Sequence, residues 1–298
     1  MEERNQPFPP PPGGSQLPPP PPPYQVTSDI PPSSPYHYSP APSSRRNRGI
    51  LGGLAAAAAA AFAYGKYALL FIFKVPALAT LGSALVSLVA YGLWGGWTFA
   101  IGIVLMIFIH EMGHVVEIRR QGMQATAPIF IPFLGAAIFQ RSHPTTAINQ
   151  ALIGIAGPIA GTLGASAALI AYAGTHYTGL LVWAYFGFFI NLFNLIPFAM
   201  LDGGWILAPV SKWVQVAGLA VLVGLFLLQL VSPIVIILFL IGIPMLIQRF
   251  RNPALDAHLT SGPVAARVGL GVAWLALAVY LAFAMFQTDT LLRTVVVR

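Results

Sequence analysis

Long apolar runs separated by short polar stretches are the feature that most limits how this chain can fold. From residue 75 onward, these runs are long enough to be interpreted as membrane-spanning helices. They cover residues 75–93, 95–116, 145–172, 178–197, 214–231, 233–248 and 263–286. Of the 298 residues, 57% are hydrophobic and 8% are charged, whereas a soluble domain carries about 25% charged residues. We therefore expect an all-α polytopic membrane protein with about six to seven transmembrane helices.

The charged residues lie mainly at the ends of these runs. The net charge is +7, and basic residues that flank apolar segments are typical of the cytoplasmic side. They are not clustered with aromatic residues on one face, which argues against nucleic-acid binding. We expect a multi-pass protein of the cell membrane, in a prokaryotic plasma membrane. The flanking residues are Arg45, Arg46, Arg48, Arg119, Arg120, Arg249 and Arg251.

The amino-terminal region differs in composition from the rest. Residues 1–44 hold 16 of the 27 prolines, so residues 1–48 are expected to form a disordered Pro-rich cytoplasmic tail. A solvated tail and a docking segment for a proline-binding partner both fit this composition. Residues 49–74 are interpreted as an interfacial or re-entrant Ala-rich helix, with a full span as the alternative.

One stretch is too short and too interrupted to cross a membrane as a helix. Residues 124–143 contain Pro128, Pro132 and Gly135, which predict a short β-hairpin or a loop at the membrane edge. Non-helical backbone at that depth must be covered by protein or must line a wet cavity.

The second apolar run ends in an H-E-x-x-H motif formed by His110, Glu111 and His114. Histidines four residues apart fall about 40° apart around a helix, so both imidazoles face one point. That spacing suits a tetrahedral zinc ion, with the glutamate between them placed to act as a base. Ionisable groups inside a hydrocarbon-length helix are costly unless they function. The alternative is a pair of packed helix histidines with an interfacial glutamate.

A third ligand must come from a short set of candidates. Between residues 50 and 250 the only acidic residues are Glu111, Glu117 and Asp202. Glu117 stands beside two arginines and is interpreted as a solvated flank residue. His143 is a further candidate, whereas His176 falls in a loop on the far side of the membrane. Asp202 precedes two glycines and either binds the metal or caps the following helix.

Counting crossings bears on whether Asp202 can reach the two histidines. Two crossings separate the end of the H-E-x-x-H helix from the end of the run at 178–197. Both ends therefore lie on the same side, which the flanking arginines mark as cytoplasmic. Asp202 follows the second end, so it can approach a metal ion near the cytoplasmic edge.

Three segments occur in the order seen in site-2 proteases, the intramembrane zinc metalloproteases. They are the H-E-x-x-H motif, Ala-Gly-Pro-Ile-Ala-Gly at 156–161 and the segment at 194–204. The segment Phe-Ile-Pro-Phe-Leu-Gly at 130–135 also resembles the membrane-edge hairpin of that family. The chain resembles that family over roughly residues 75–210, its expected catalytic membrane core, with additional transmembrane helices at 211–298. The resemblance implies that His110, His114 and Asp202 hold one Zn2+ per chain. It also implies that Glu111 is the catalytic base and that Asn194 helps to hold or polarise the substrate.

Two departures from the family pattern stand out. Many members carry Asn at the position of Gly161, so any polar role there is absent. Many also carry Pro at the position of Ala199 or of Met200, so the turn before Asp202 is expected to differ. The chain contains no insertion large enough to be a PDZ domain.

The resemblance implies a peptide hydrolase that cleaves in or near transmembrane segments. Its expected substrates are single-pass transmembrane proteins or signal-peptide remnants, which must unwind before cleavage. The hairpin at 126–141 is expected to pair with the unwound substrate through an edge strand. Two alternatives remain. One is a transporter or metal-handling protein with the same three ligands, and the other is a pseudoprotease that binds membrane segments without cleaving them.

Overall fold

A computed structural model describes residues 33–34, 52–53, 55–60, 63–64, 76–140, 144, 146–233 and 235–296. The chain divides into two units, Met1–Ala61 and Phe62–Arg298. In the first unit, residues 52–53 and 55–60 are helical. The predictions for the tail at 1–48 and for most of 49–74 lie outside the described residues.

The described residues of the second unit are mostly helical, as the apolar runs predict. Its helices are α1 (Pro76–Gly95), α2 (Trp97–Arg120), α3 (Ala147–Thr175), α4 (Thr178–Asn194), α5 (Asp202–Leu207), α6 (Lys212–Leu227), α7 (Val235–Arg251), α8 (Pro253–Leu259) and α9 (Val264–Val296). Two short strands, β1 (Ile129–Ile131) and β2 (Gly135–Ala137), form an antiparallel pair between α2 and α3. The expected helical architecture and its small hairpin are therefore confirmed.

Among the described residues, four helices are long and apolar enough to cross a membrane, namely α1, α2, α3 and α9. The pair α7 and α8, bent by 100°, raises the number to five if it forms one broken span. Helices α4 and α6 are apolar but have 17 and 16 residues. At about 1.5 Å per residue they reach roughly 24–26 Å, less than the ~30 Å hydrocarbon core. The span count of six to seven therefore stays a prediction.

The core is assembled from one face of each of several helices. Its buried residues include Met106 of α2, Ala165 of α3, Phe188 of α4, Ile206 of α5 and Leu281 of α9. The last helix thus packs into the same core as α2 to α5. Many large apolar side chains on the outer faces are exposed, as expected of surfaces that face lipid rather than water.

Side chains of α1 hold the hairpin along one edge. The Phe130 N–H donates to the Ser83 hydroxyl at 3.0 Å, and the Phe133 N–H donates to the Tyr91 hydroxyl at 2.9 Å. Phe130 is paired with Ala136 across the two strands, but its N–H donates to α1 rather than to β2. The Phe130–Ala136 pair is therefore a non-hydrogen-bonded pair of the antiparallel ladder. The backbone N–H and C=O of Ala136 therefore point away from β1.

Candidate functional site: a His-His-Asp cluster

Helix α2 carries both histidines on the face that packs against α3. Gly113 lies directly against the Ala156 backbone, where a β-carbon would overlap the Ala156 carbonyl oxygen. Gly157 of α3 lies against His114, and a β-carbon there would overlap the imidazole ring. The two glycines therefore allow α2 and α3 to approach closely, and Gly157 also provides the space for a site histidine.

A tight loop between α4 and α5 brings Asp202 to the histidines. Its backbone reverses at Ala199, which has a φ of 50°, a left-handed conformation uncommon for a residue with a β-carbon. Gly203 lies against the Leu195 carbonyl and Gly204 against that of Ala199, where β-carbons would overlap both oxygens. The loop can close only because these two residues lack side chains.

Three side chains converge where the loop meets α2. The His110 Nε2 lies 3.1 Å from the Asp202 Oδ2 and 3.1 Å from the His114 Nε2. The His114 Nε2 lies 3.4 Å from the Asp202 Oδ1. Asp202 begins α5, and the N-cap position before it belongs to Leu201. The Asp202 carboxylate faces the histidines. It does not cap the helix, which was the alternative that its sequence context left open.

The outer nitrogen of each imidazole has an oxygen partner, and this determines where the protons lie. The His110 Nδ1 is 2.8 Å from the Asn191 Oδ1, and the His114 Nδ1 is 2.7 Å from the Ile153 carbonyl oxygen. The Asn191 amide nitrogen donates to the Gly187 carbonyl at 2.6 Å, so the Asn191 oxygen is the atom that faces His110. Both Nδ1 atoms must therefore donate, and a neutral imidazole then has a bare lone pair at Nε2.

The three inner atoms are consequently electron-pair donors directed at one another. The Asp202 Oδ2 is buried and has no hydrogen-bond partner among the described residues. Such a cluster needs a cation between its members. Ligands about 2.0–2.2 Å from a tetrahedral metal ion lie about 3.3–3.6 Å apart, close to the observed 3.1–3.4 Å. This geometry and donor set fit a metal ion.

Asp202 is held in the form that binds cations. Burial alone raises the pKa of its carboxyl group, but His114 and His110, when they are protonated, lower it more, so its pKa lies below the ordinary value. A metal ion in place of those protons would act in the same direction. The carboxylate is therefore ionised at neutral pH and is available as a ligand.

Asn191 is a site residue that the sequence interpretation missed. It is fully buried, with 0% of its surface exposed, and its side chain lies against Gly161, where a β-carbon would overlap the carboxamide. A polar side chain from α4 thus occupies the space over Gly161. Asn194, the predicted substrate-binding residue, donates instead to the Ile190 carbonyl at 3.1 Å. Both are amides in an apolar helix, a sequence signal that does not distinguish them.

Glu111 lies next to this cluster without joining it. Its side chain is 8% exposed, and its charge interacts with His110, His114 and Asp202. The group of residues with ligand atoms close enough to share a metal ion contains the two histidines and Asp202 but not Glu111. The glutamate therefore lies beside the cluster rather than within it.

The other candidate ligands lie elsewhere or outside the described residues. Glu117 pairs with Arg120 through bonds of 2.6 and 2.8 Å. His176 forms the C-cap of α3, 23 residues beyond Ile153, which is about 34 Å along the helix. His143 lies outside the described residues, and its role stays a prediction.

The chain matches no protein-family model, and no curated protein matches it. The chemistry of the cluster is therefore what bears on function.

Proposed function

We propose that this protein is an intramembrane zinc metalloprotease that hydrolyses peptide bonds in or near transmembrane segments. His110, His114 and Asp202 would hold one zinc ion, and Glu111 would be the general base. The substrates would be single-pass transmembrane proteins or signal-peptide remnants. Because α2 and α7 both end in arginines, the site is proposed to open towards the cytoplasmic side of the cell membrane.

One observation carries this proposal above the others. The outer nitrogens of both histidines donate to Asn191 and Ile153, so each neutral imidazole presents the lone pair of its inner nitrogen beside the Asp202 carboxylate. Two imidazoles and one carboxylate are a typical ligand set of catalytic zinc, which retains one position for water or substrate. A histidine pair that served packing alone would not require two fixed outer donors and an ionised third partner.

The residues around the cluster supply the parts of a hydrolytic reaction. Bound zinc would polarise the substrate carbonyl and lower the pKa of water at the site towards ~7. Glu111 can take a proton from the attacking water on its carboxylate and return it to the departing amide nitrogen. Asn191 and the Ile153 carbonyl keep the two imidazoles in the required tautomer and orientation.

The hairpin offers a place for an unwound substrate. The α1 side chains occupy the outer edge of β1 through Phe130, so we assign the substrate to the edge of β2, where the Ala136 backbone points away from β1. An extended peptide can add to such an edge by main-chain hydrogen bonds. Proline at position 136 removes one donor at an edge that tolerates it. Ala136→Pro should therefore slow cleavage and leave zinc bound. Ala136→Ser is the control and should behave as wild type. Equal cleavage rates in both variants would refute the edge-strand model.

The test of the proposed activity combines metal content with cleavage. We expect about one zinc per chain in the detergent-purified protein and in Glu111→Gln, and its loss in His110→Ala and Asp202→Ala. Glu111→Gln should fail to cleave a transmembrane peptide that wild type cleaves. Glu117→Gln is the matched control, because Glu117 pairs with Arg120, and it should retain both properties.

The same experiment separates the protease from its rivals. A transporter or metal-handling protein has no need of a base, so Glu111→Gln would leave its metal transport intact and no peptide would be cleaved by wild type. Absence of zinc in wild type would favour a pseudoprotease. Zinc that survives Asp202→Ala would place the third ligand elsewhere.

A further inference from the structure

A second polar site lies next to the Asp202 loop, in a cavity that the proposed hydrolysis does not use. The cavity has a volume of about 220 Å³ and is enclosed by α5, α7, α8 and the start of α3. One water needs only about 10–15 Å³, so the space admits a molecular group. Its walls are mostly apolar and include Phe198, Leu246, Leu255 and Leu259.

The charged residue in this wall is Arg249, and its hydrogen bonding is incomplete. Only 3% of its surface is exposed. Its Nε donates to the Asp256 Oδ1 at 2.9 Å, and its Nη2 donates to the Ala208 carbonyl at 2.8 Å. Its Nη1 is buried with no hydrogen-bond partner among the described residues. A buried guanidinium with an unused donor is costly unless an acceptor reaches it.

The surroundings of Arg249 carry an excess of positive charge. Asp256 is shared with Lys212, whose Nζ lies 3.1 Å from its Oδ2. Arg267 donates to the Val210 carbonyl at 2.9 Å, two residues beyond the Ala208 carbonyl that accepts from Arg249. The Nε of Arg267 is also buried, with no hydrogen-bond partner among the described residues. Arg249 and Lys212 therefore share one carboxylate, and Arg267 adds a third positive charge at this turn, which leaves the region attractive to an anion.

The position of the cavity indicates which anion. It lies at the end of α7 that carries Arg249 and Arg251 and at the start of α3, where Gln121 from the basic end of α2 donates to the Asn149 carbonyl. Basic helix ends of this kind lie at the depth of lipid headgroups. An apolar cavity with one guanidinium suits a ligand with a phosphate at one end and a hydrocarbon chain at the other.

We propose that this cavity binds the phosphate of an anionic phospholipid, with Arg249 as its principal contact. Guanidinium binds phosphate oxygens through charge-assisted hydrogen bonds, and the apolar walls would receive the adjoining glycerol and upper acyl carbons. The occupant would contact Gly204 and Trp205, which line the cavity and directly follow the Asp202 turn. This site does not depend on the proposed protease activity, because neither the metal ligands nor Glu111 line it.

The test measures phospholipid binding to the full-length protein by native mass spectrometry in detergent. Phosphatidylglycerol should bind at one saturable site, at least ten-fold more tightly than phosphatidylcholine. Arg249→Gln should weaken phosphatidylglycerol binding roughly ten-fold or more, whereas Arg251→Gln, which removes the same charge from an exposed position on the same helix, should change it less than two-fold.

A cavity-filling variant keeps the test decisive if Arg249→Gln does not fold. Ala147 lines the cavity, and Ala147→Phe would occupy it while leaving every cation in place, so it should abolish phosphatidylglycerol binding. Unchanged binding in Ala147→Phe, or equal losses in the Arg249 and Arg251 variants, would overturn the proposal. Inorganic phosphate that binds as tightly as phosphatidylglycerol does would show a free-phosphate site and would also overturn the lipid assignment.

Discussion

Asn191→Ala is the substitution that most directly tests how the metal cluster is held. It removes the acceptor of the His110 Nδ1–H bond at a position where His110 is only 4% exposed, so the N–H is left buried without a partner. An unsatisfied buried donor costs about 1–3 kcal/mol, which corresponds to roughly a 5- to 150-fold change in an equilibrium constant. Loss of an outer partner of a metal-binding histidine typically weakens metal binding about 10- to 100-fold. We therefore expect Asn191→Ala to bind zinc about 10- to 100-fold more weakly.

The assay is competition for zinc between the purified protein and a chelator of known affinity, which needs no substrate. Asn194→Ala is the matched control, because Asn194 is the same residue type one turn further along α4 and bonds only its own helix at Ile190. Circular dichroism on both variants checks that α4 remains folded. Equal zinc affinity in the two variants, or a loss confined to Asn194→Ala, would refute the tautomer argument.

Three further predictions follow from the same geometry. Gly157→Ala places a methyl group into the His114 ring and should weaken zinc binding at least ten-fold, whereas Gly174→Ala, which has open space around it, should leave the zinc affinity within two-fold of wild type. Ala199→Gly relieves a positive φ of 50° and should raise the free energy of unfolding by about 1 kcal/mol. Ala199→Pro should lower the free energy of unfolding, because proline fixes φ near −65°. Denaturant titration in detergent compares both variants with wild type. Zinc at about 100 times its Kd should stabilise the wild-type protein by about 2.7 kcal/mol, and a thermal melt should show no such stabilisation in His110→Ala.

Much of the architecture follows from local pattern. Apolar runs of hydrocarbon length predict helices because a backbone in lipid must satisfy its own hydrogen bonds, and the helices α1 to α4 begin and end close to the predicted limits. Prolines and a glycine between residues 128 and 135 predict a break in the helical pattern, and the hairpin lies there. The histidine pair needs only the helical repeat to bring both rings to one face.

Contacts between segments that are far apart in sequence could be identified only from the folded structure. Asp202 is 88 residues beyond His114, and its sequence context suits a helix cap as well as a ligand. Closure of the 195–204 loop onto glycines directs its carboxylate to the histidines. The choice between Asn191 and Asn194 is likewise tertiary, because the space over Gly161 on a neighbouring helix admits only one of two chemically identical side chains.

The sequence by itself therefore determined the membrane class, the helical segments and the two histidines with their glutamate, because each depends on repeats within one segment. The tertiary structure decided which carboxylate and which amide complete the cluster. It also placed the unpaired Arg249 donor in the wall of a cavity. These outcomes depend on which backbones can approach one another closely, and that is determined by the packing of whole helices rather than by any one segment.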